Sequence, residues 1–493
     1  MSRNLKHKTA HSLKWNVVDR LSTQVLYALT GIVLANLLSQ DDFGLVGAVL
    51  VFQAFASLLV DSGFSYALLQ RQRPTRLDYS SVLWFNMFAA AALYIILYLM
   101  APMIAAWFQN DARIVPLSRV MFLSLIVNAS MIVQTNRLMK AMDVRMVAVS
   151  NFIGLALGGV AGIWSALAGY GAWAIVWQTL VMAVCKAVVL WTSTRWRPLA
   201  RFSPASLKSF LGIGSRMMFT SFLNTVFLNI YSFFIGNRVG MASLGYYTQA
   251  DKWSKMGVTS ITQVLTSTFV PALASVQDDS ERFRRMASKM SRFTAYLMFP
   301  ALIGLMVMAR PIFHTLFGDK WDASIILFQL LLFRGLFTVA VSLYNNFLLA
   351  LGHSKTIVRL EVLRDGTALG ALALTFPYMA ITLPDNPVYG ITILLWGQVA
   401  ASFVTWVFSF YATVKAVGAT VWSFASDMLP YFAQTAVIVP FMYAASLLFE
   451  LAWLKLLVEV LVGALLYFGV NKVLGSRIQQ EVFGYLRGGK IAV

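Results

Sequence analysis

The sequence predicts an all-α integral membrane protein, and three observations predict it. Of 493 residues, 59% are hydrophobic and only 12% are charged, where a soluble chain of this length exposes far more charge. The apolar residues gather in stretches of roughly 20, each long enough to cross the ~30 Å hydrocarbon core of a bilayer. Those stretches are continuously apolar, without the alternation of a barrel strand, so they are expected as helices.

Fourteen spans are expected, near residues 15–38, 44–69, 80–108, 115–136, 147–167, 171–192, 211–236, 246–275, 291–317, 323–350, 356–382, 388–414, 427–449 and 452–474. The basic start, MSRNLKHKTAHSLKW, runs into the first span without a cleavage site and is expected to be retained. Orientation follows from Lys and Arg in the connections. RQRPTR (71–76), RLMKAMDVR (137–145), RWRPLARFSPASLK (195–208) and DDSERFRRMASKMSR (278–292) alternate with SQDDF (39–43), FQNDAR (108–113), LPDNP (383–387) and FELAW (449–453). The first set is strongly basic, which makes it cytoplasmic and puts both termini inside. The net charge of +19 is therefore a topology signal, with a contact to anionic headgroups, and nucleic acid is not the expected partner.

No connection is long enough for an extramembrane catalytic domain. The longest polar one, 193–210, divides an N-terminal lobe (1–192, six spans) from a C-terminal lobe (211–414, six spans), and residues 415–493 add two spans and a cytoplasmic tail. A repeat supports that division. ANLLSQDDFGL (35–45) aligns with GNRVGMASLGY (236–246), matching Asn36 to Asn237 and Gly44 to Gly245, and NRLMKAMDVR (136–145) aligns with NFLLALGHSK (346–355). Six helices precede the second copy, so the copies run in the same direction: two parallel-repeat six-helix bundles followed by two C-terminal helices.

Charges within spans are costly, about 2.5–3.5 kcal/mol at the bilayer centre, and mark cavities or partners. They fall on few helices. In the first span Asn16, Arg20, Thr23, Tyr27 and Thr30 recur at spacings of four and three, one helix face. Arg216, Thr220, Asn224 and Tyr231 repeat the idea in the seventh, and both stripes are expected to line one central cavity. The eighth span opens with GYYTQADKWSKMG, in which Lys252 and Lys255 share a face and Asp251 can pair with Lys255; snorkelling to the headgroups, with Trp253 in an aromatic belt, is the alternative. Arg334 lies about a dozen residues into the tenth span, too deep to snorkel easily. Glu361, Arg364 and Asp365 sit together in the eleventh, where they either neutralise one another or bind an ion. Asp61, in the second, is expected to pair with Arg71 at the helix end. The last two spans are almost wholly apolar.

One cysteine, Cys185, excludes a disulfide framework and a thiolate metal cluster. The four histidines suggest no metal site, and no Walker A, HExxH or nucleophile–base set occurs, so neither a metal nor an enzymatic activity is expected.

Several pieces resemble a known family: LKWNVV after a basic tail, FGL at 43–45, DSGFSYALLQRQ at 61–72 with LWFN at 83–86, FVPALASVQDD at 269–279 and LFGDKWDAS at 316–324. Across nearly its whole length the chain is similar to the Wzx-type polysaccharide flippases of the multidrug/oligosaccharidyl-lipid/polysaccharide (MOP) exporter superfamily, within the colanic-acid-exporter-like group. The resemblance implies a V-shaped pair of lobes, lateral openings, a groove from the last two helices, and transport of undecaprenyl-diphosphate-linked oligosaccharide across the bacterial inner membrane. It also implies polysaccharide polymerase and assembly proteins as partners. The cations Arg216, Lys252, Lys255, Arg334 and Arg20 are the expected diphosphate ligands. Asn16, Tyr27, Asn224, Gln249 and Trp253 are the expected sugar contacts. Asp251, Glu361 and Asp365 are the candidates for a coupling Na⁺ or H⁺, with no other cofactor expected. A drug/cation antiporter of the same superfamily is the alternative function.

Overall fold

The computed structural model describes residues 3–61, 63–194, 196–384 and 386–486, with the side chains of residues 3–14, 17, 66, 211, 213–217, 220, 482, 485 and 486 outside the description. Among the described residues the chain is helical, and it divides into two compact units, Met1–Gly245 and Tyr246–Val493.

The first unit contains α1 (Arg3–Leu37), α2 (Gln40–Asp61), α3 (Phe64–Gln70), α4 (Arg76–Trp107), α5 (Ile114–Met121), α6 (Leu123–Lys140), α7 (Val144–Leu167), α8 (Trp173–Thr194) and α9 (Pro204–Arg238). Helix α10 (Met241–Ala274) carries the chain across the division. The second unit continues with α11 (Ser280–Val307), α12 (Ala309–Leu316), α13 (Asp322–Ala350), α14 (Ser354–Thr375), α15 (Tyr389–Val417), α16 (Val421–Ser426), α17 (Leu429–Ser446), α18 (Ala452–Val473) and α19 (Arg477–Leu486).

Each expected span coincides with a helix or a broken pair. Nine segments among the described residues are long and apolar enough to cross a membrane, including Ile114–Lys140 and Asp319–Ala350. The remaining five expected spans are α1, α9, α10, α14 and α17, which carry most of the expected intramembrane charges or, in α17, Gln434 and two prolines. Three expected spans are interrupted, one of them at Phe122, which separates α5 from α6. Gly63, at φ 69, occupies the left-handed region that glycine alone enters without strain, and it separates α2 from α3. Met308 separates α11 from α12. Half of the 193–210 connection is helical: α8 runs to Thr194 and α9 starts at Pro204, capped by the Ser203 hydroxyl accepting from Ser206 N at 3.2 Å.

The expected pairing of Asp61 with Arg71 is not formed. The break at Gly63 and the short α3 carry Arg71 past Asp61 toward the start of α4, where it meets Asp78 at 3.5 Å and donates to Ser209 at 3.1 Å. Asp61 instead accepts from the Ser65 hydroxyl at 2.5 Å. Asp78 is committed to a capping box: its carboxylate accepts from Thr75 N at 2.8 Å while Thr75 Oγ1 accepts from Asp78 N at 3.2 Å.

The connections of the first unit sort into two ends. At one, Arg76 donates to the Arg197 carbonyl at 2.9 Å, Lys140 to the Leu68 carbonyl at 3.0 Å, and the Arg137 guanidinium sits 4.9 Å from the Trp196 ring. These are the basic connections. At the other, Arg113 bridges Asp41 and Asp111 at 2.6 Å each, and Asn237 donates to the Trp107 carbonyl. Within the unit α7 packs on α8 and α1, α6 on α8 and α4, and α9 on α2, α3 and α4.

Two glycines make unusually close contacts there. A Cβ added to Gly44 would lie 1.8 Å from the Met241 carbonyl oxygen, and one added to Gly245 would lie 1.8 Å from the Gln40 carbonyl oxygen. Gln40 and Met241 are the first residues of α2 and α10. Only hydrogen in place of a side chain lets these helix starts meet.

In the second unit α13 packs on α15 and α11, α14 on α15, and α17 on α18 and α11. Helix α10 reaches α13 through Ser324, whose hydroxyl donates to the Tyr246 carbonyl at 3.0 Å, and through Gly335, whose added Cβ would lie 2.5 Å from Val258 Cγ2.

Candidate functional site

The charged stretch near the start of α10 is organised by one helical turn. Lys255 Nζ pairs with Asp251 Oδ2 at 2.6 Å, the i,i+4 geometry anticipated from spacing. Trp253 donates its indole N–H to Gln249 Oε1 at 3.2 Å, and its ring meets Phe317 at 5.2 Å. Lys252 Nζ lies 5.3 Å from the centroid of the Trp253 ring, within range of a cation–π attraction. Gln249 is 2% exposed, so it supports Trp253 from inside the helix packing, whereas Lys252, Trp253 and Lys255 are half-buried.

Arg334 extends from the interior of α13 and donates from Nη1 to Gln398 Oε1 on α15 at 2.5 Å. Among the described residues no carboxylate pairs with it. Twelve residues after the helix start it lies roughly 18 Å along the axis, deep in a segment long enough to span a bilayer. A neutral amide satisfies one of its donors and leaves its charge uncompensated.

On α14, Arg364 is held between Glu361 at 2.6 Å and Asp365 at 2.9 Å, so the two carboxylates proposed for an ion share one guanidinium. On α1, Arg20 and Tyr27 are exposed, Asn16 is half-buried and Thr30 is buried; Asn224 on α9 is exposed. The side chains of Arg216 and Thr220 lie outside the described residues.

Sequence reasoning missed three groups. Asp19, one position from Arg20, accepts from Asn151 Nδ2 at 3.1 Å and from Thr23 Oγ1 at 3.3 Å, and it acts electrostatically on Lys186 of α8. The stripe that singled out Arg20 runs one step round the helix from it. His314 sits between Asp322 at 2.6 Å and Asp319 at 3.3 Å, both in the LFGDKWDAS stretch, a grouping of side chains that could hold a metal ion. Glu459 is a 2% exposed carboxylate inside α18, a helix of apolar average composition.

Comparison with known proteins fits this framework. A family model described as "Polysaccharide biosynthesis protein" matches residues 33–326. Among curated relatives, the succinoglycan biosynthesis transport protein ExoT of Rhizobium meliloti is 24% identical over 76% of this chain and 76% of its own. The lipopolysaccharide biosynthesis protein WzxC of Escherichia coli is 23% identical over 77% and 80%. Among solved structures, the lipid II flippase MurJ in an inward closed conformation superposes with a TM-score of 0.70 over 96% of this chain and 99% of its own, at 14% identity. An inward-facing multidrug resistance MATE family transporter of the MOP superfamily superposes with a TM-score of 0.60 over 82% and 98%, at 17% identity. At such identities these likenesses establish the fold.

Proposed function

The chain belongs to the family of polysaccharide biosynthesis proteins, and on that premise we propose that it is a flippase. Its substrate is an undecaprenyl-diphosphate-linked oligosaccharide repeat unit, moved from the cytoplasmic to the outer leaflet of a bacterial inner membrane by alternating access. The coarser statement, a multi-pass membrane transport protein of polysaccharide biosynthesis with a MOP fold, already follows from its relatives and structural neighbours. The fourteen-span count and the parallel repeat belong to the proposal. The reciprocal contacts of Gly44 and Gly245 support the repeat, because the register that aligns these glycines also aligns Gln40 with Met241.

The observation that carries the substrate assignment is Arg334, a cation deep in α13 whose recorded partner is a neutral amide. A diphosphate crossing hydrocarbon must exchange its hydration for fixed charge, and a guanidinium is suited to grip two phosphate oxygens at once. Lys252 and Lys255 on α10, a helix that packs on α13, complete the set in this unit, with Arg20 and Arg216 as further candidates. Trp253, Asn16, Tyr27 and Asn224 supply a ring and polar groups for sugars. Gln249 acts through Trp253. Helices α17 and α18 accommodate the lipid tail, polysaccharide polymerase and assembly proteins act on the product, and Asp251, Glu361 and Asp365 are candidate sites for a coupling ion.

The shared MATE fold favours one second function, a drug/cation antiporter. Such a carrier needs a carboxylate for its cationic guest, whereas the half-buried carboxylates near the candidate site, Asp251, Glu361 and Asp365, are paired with Lys255 or Arg364. The test is to replace Lys252, Lys255 and Arg334 singly by Ala and to measure surface polysaccharide alongside membrane insertion. Each variant is expected to insert normally and to lower export severalfold. Undiminished export in all three removes the diphosphate site.

A further inference from the structure

Helix α18 is apolar outside and polar inside. Its buried residues are Glu459, Tyr467 and Asn471, and with Gly463 they recur every four residues, which on a helix makes one stripe. The lower part of the stripe is tied down. Tyr467 donates to the Tyr296 carbonyl on α11 at 2.8 Å, and Asn471 donates to the Tyr467 carbonyl at 2.9 Å. Gly463 closes against α17, where an added Cβ would lie 2.9 Å from Met442 Sδ.

Glu459 is less firmly held, its carboxylate meeting the Ser446 hydroxyl of α17. It is 2% exposed, and among the described residues its Oε2 has no hydrogen-bond partner. It borders a cavity of ≈ 270 Å³ between α11, α17 and α18, whose other walls include Leu297, Pro300, Ile438, Met442 and Val460. Seven residues separate it from the helix start, roughly 10 Å along the axis. Its polar neighbour is Ser446 on α17, and the charge acting on it is Lys455, one turn earlier. The other titratable groups on elements packed against α18 are Arg310 and His314 on α12, Glu281, Arg282, Arg284, Arg285, Lys289, Arg292 and Tyr296 on α11, Tyr431 and Tyr443 on α17, and Arg477 and Glu481 on α19.

An ionised carboxylate in such a cavity is sustained by water. Hydrocarbon entering the cavity displaces that water, and the charged form then pays the cost of an uncompensated ion in an apolar medium, whereas the neutral acid pays far less. A residue serving only to fill space or to cap a hydrogen bond needs no ionisable group here. We propose that Glu459 is a proton-binding site of this carrier, taking up a proton when an isoprenoid chain fills the cleft between α11, α17 and α18 and releasing it when the cleft empties and wets. The identity of the chain rests on the flippase assignment above; the proton linkage rests on the cleft alone. Because linkage is reciprocal, proton uptake on loading requires the chain to bind more tightly as pH falls, by up to about tenfold per pH unit for one proton.

The test uses the full chain in nanodiscs of phosphatidylethanolamine and phosphatidylglycerol. The probe is undecaprenol, chosen because it carries the chain without a titratable head. Wild-type affinity is expected to rise severalfold between mildly alkaline and mildly acidic buffer, and infrared difference spectra are expected to gain a protonated-carboxyl band on binding. Glu459→Gln is expected to bind at the acidic wild-type level at every pH and to lack the band, and Glu459→Asp to restore the pH dependence. A pH-independent wild type without the band overturns the proposal, even if the variants fail to fold, and so does a pH slope that survives in Glu459→Gln. Nanodisc lipid that produces the band without undecaprenol overturns the assigned occupant. Failure of the flippase assignment is recognised separately, by no transfer of lipid-linked oligosaccharide above protein-free vesicles while undecaprenol binding stays proton-linked.

Discussion

Arg334 takes its charge into the interior of α13 with the Gln398 amide oxygen to receive one N–H. Its depth was legible from the count of residues into an apolar run, but its partner, 64 positions away on α15, was not. Asp251 and Lys255 lie at the opposite extreme, because i,i+4 spacing on one helix announces the pair. Asp61 shows how local spacing misleads: the nearest cation in sequence was diverted by a single left-handed glycine. Outside the spans, Arg113 gathers Asp41 and Asp111, and its hydrogen bond to Asp111 holds that carboxyl below the usual carboxylate range despite the opposing effect of burial. A depressed folded pKa contributes stability that is present above the unfolded carboxylate pKa and is lost as pH falls through the folded one. Arg113→Gln is therefore expected to cost about 0.2–1 kcal/mol at neutral pH, the range for a solvent-exposed pair, with the difference from wild type shrinking in acid. Unfolding in detergent across pH measures it, and a difference that grows in acid would contradict the assignment.

At the scale of helices, length and mean apolarity located nearly every element, because a bilayer demands both. What the average concealed was the sidedness of a helix. α18 reads as apolar throughout, yet its i+4 stripe of Glu459, Gly463, Tyr467 and Asn471 is the face it buries. α7 has the same lesson in small residues: Gly154, Gly158 and Gly162 stand four apart, and each lies against α8 so closely that an added Cβ would come within 2.9 Å of it. That spacing was present in the sequence and gives the signal of close helix packing in membranes. The starts of α2 and α10 depend on glycine still more strictly. Gly44→Ala and Gly245→Ala each drive a methyl into a backbone carbonyl that cannot rotate away, and each is expected to destabilise the purified protein by about 1–3 kcal/mol. Gly366→Ala, which meets nothing within 4 Å, is the control, expected to unfold no earlier than wild type. Thermal unfolding that does not separate the two classes would refute the close contact.

For the whole molecule, three of the four basic connections predicted to share one side meet at one end of the first unit, and Asp41 and Arg113, from two connections of the other set, meet at its other end. Charge bias announced that arrangement because loops on the same side of a membrane are neighbours whichever helices they join. The family was not legible from composition, which gives only cations and hydrocarbon; motifs spread along the chain indicated it, and the family match over 33–326 bears it out. The most direct measurement reconstitutes the full chain in proteoliposomes and follows undecaprenyl-diphosphate-linked oligosaccharide from one leaflet to the other. Wild type is expected to transfer it, Arg334→Gln to transfer it at least tenfold more slowly, the scale of about 1.4 kcal/mol of lost phosphate binding, and Arg334→Lys to recover part of the rate. Equal rates for wild type and Arg334→Gln, or no transfer above protein-free vesicles, would contradict a flippase that holds its diphosphate at this cation.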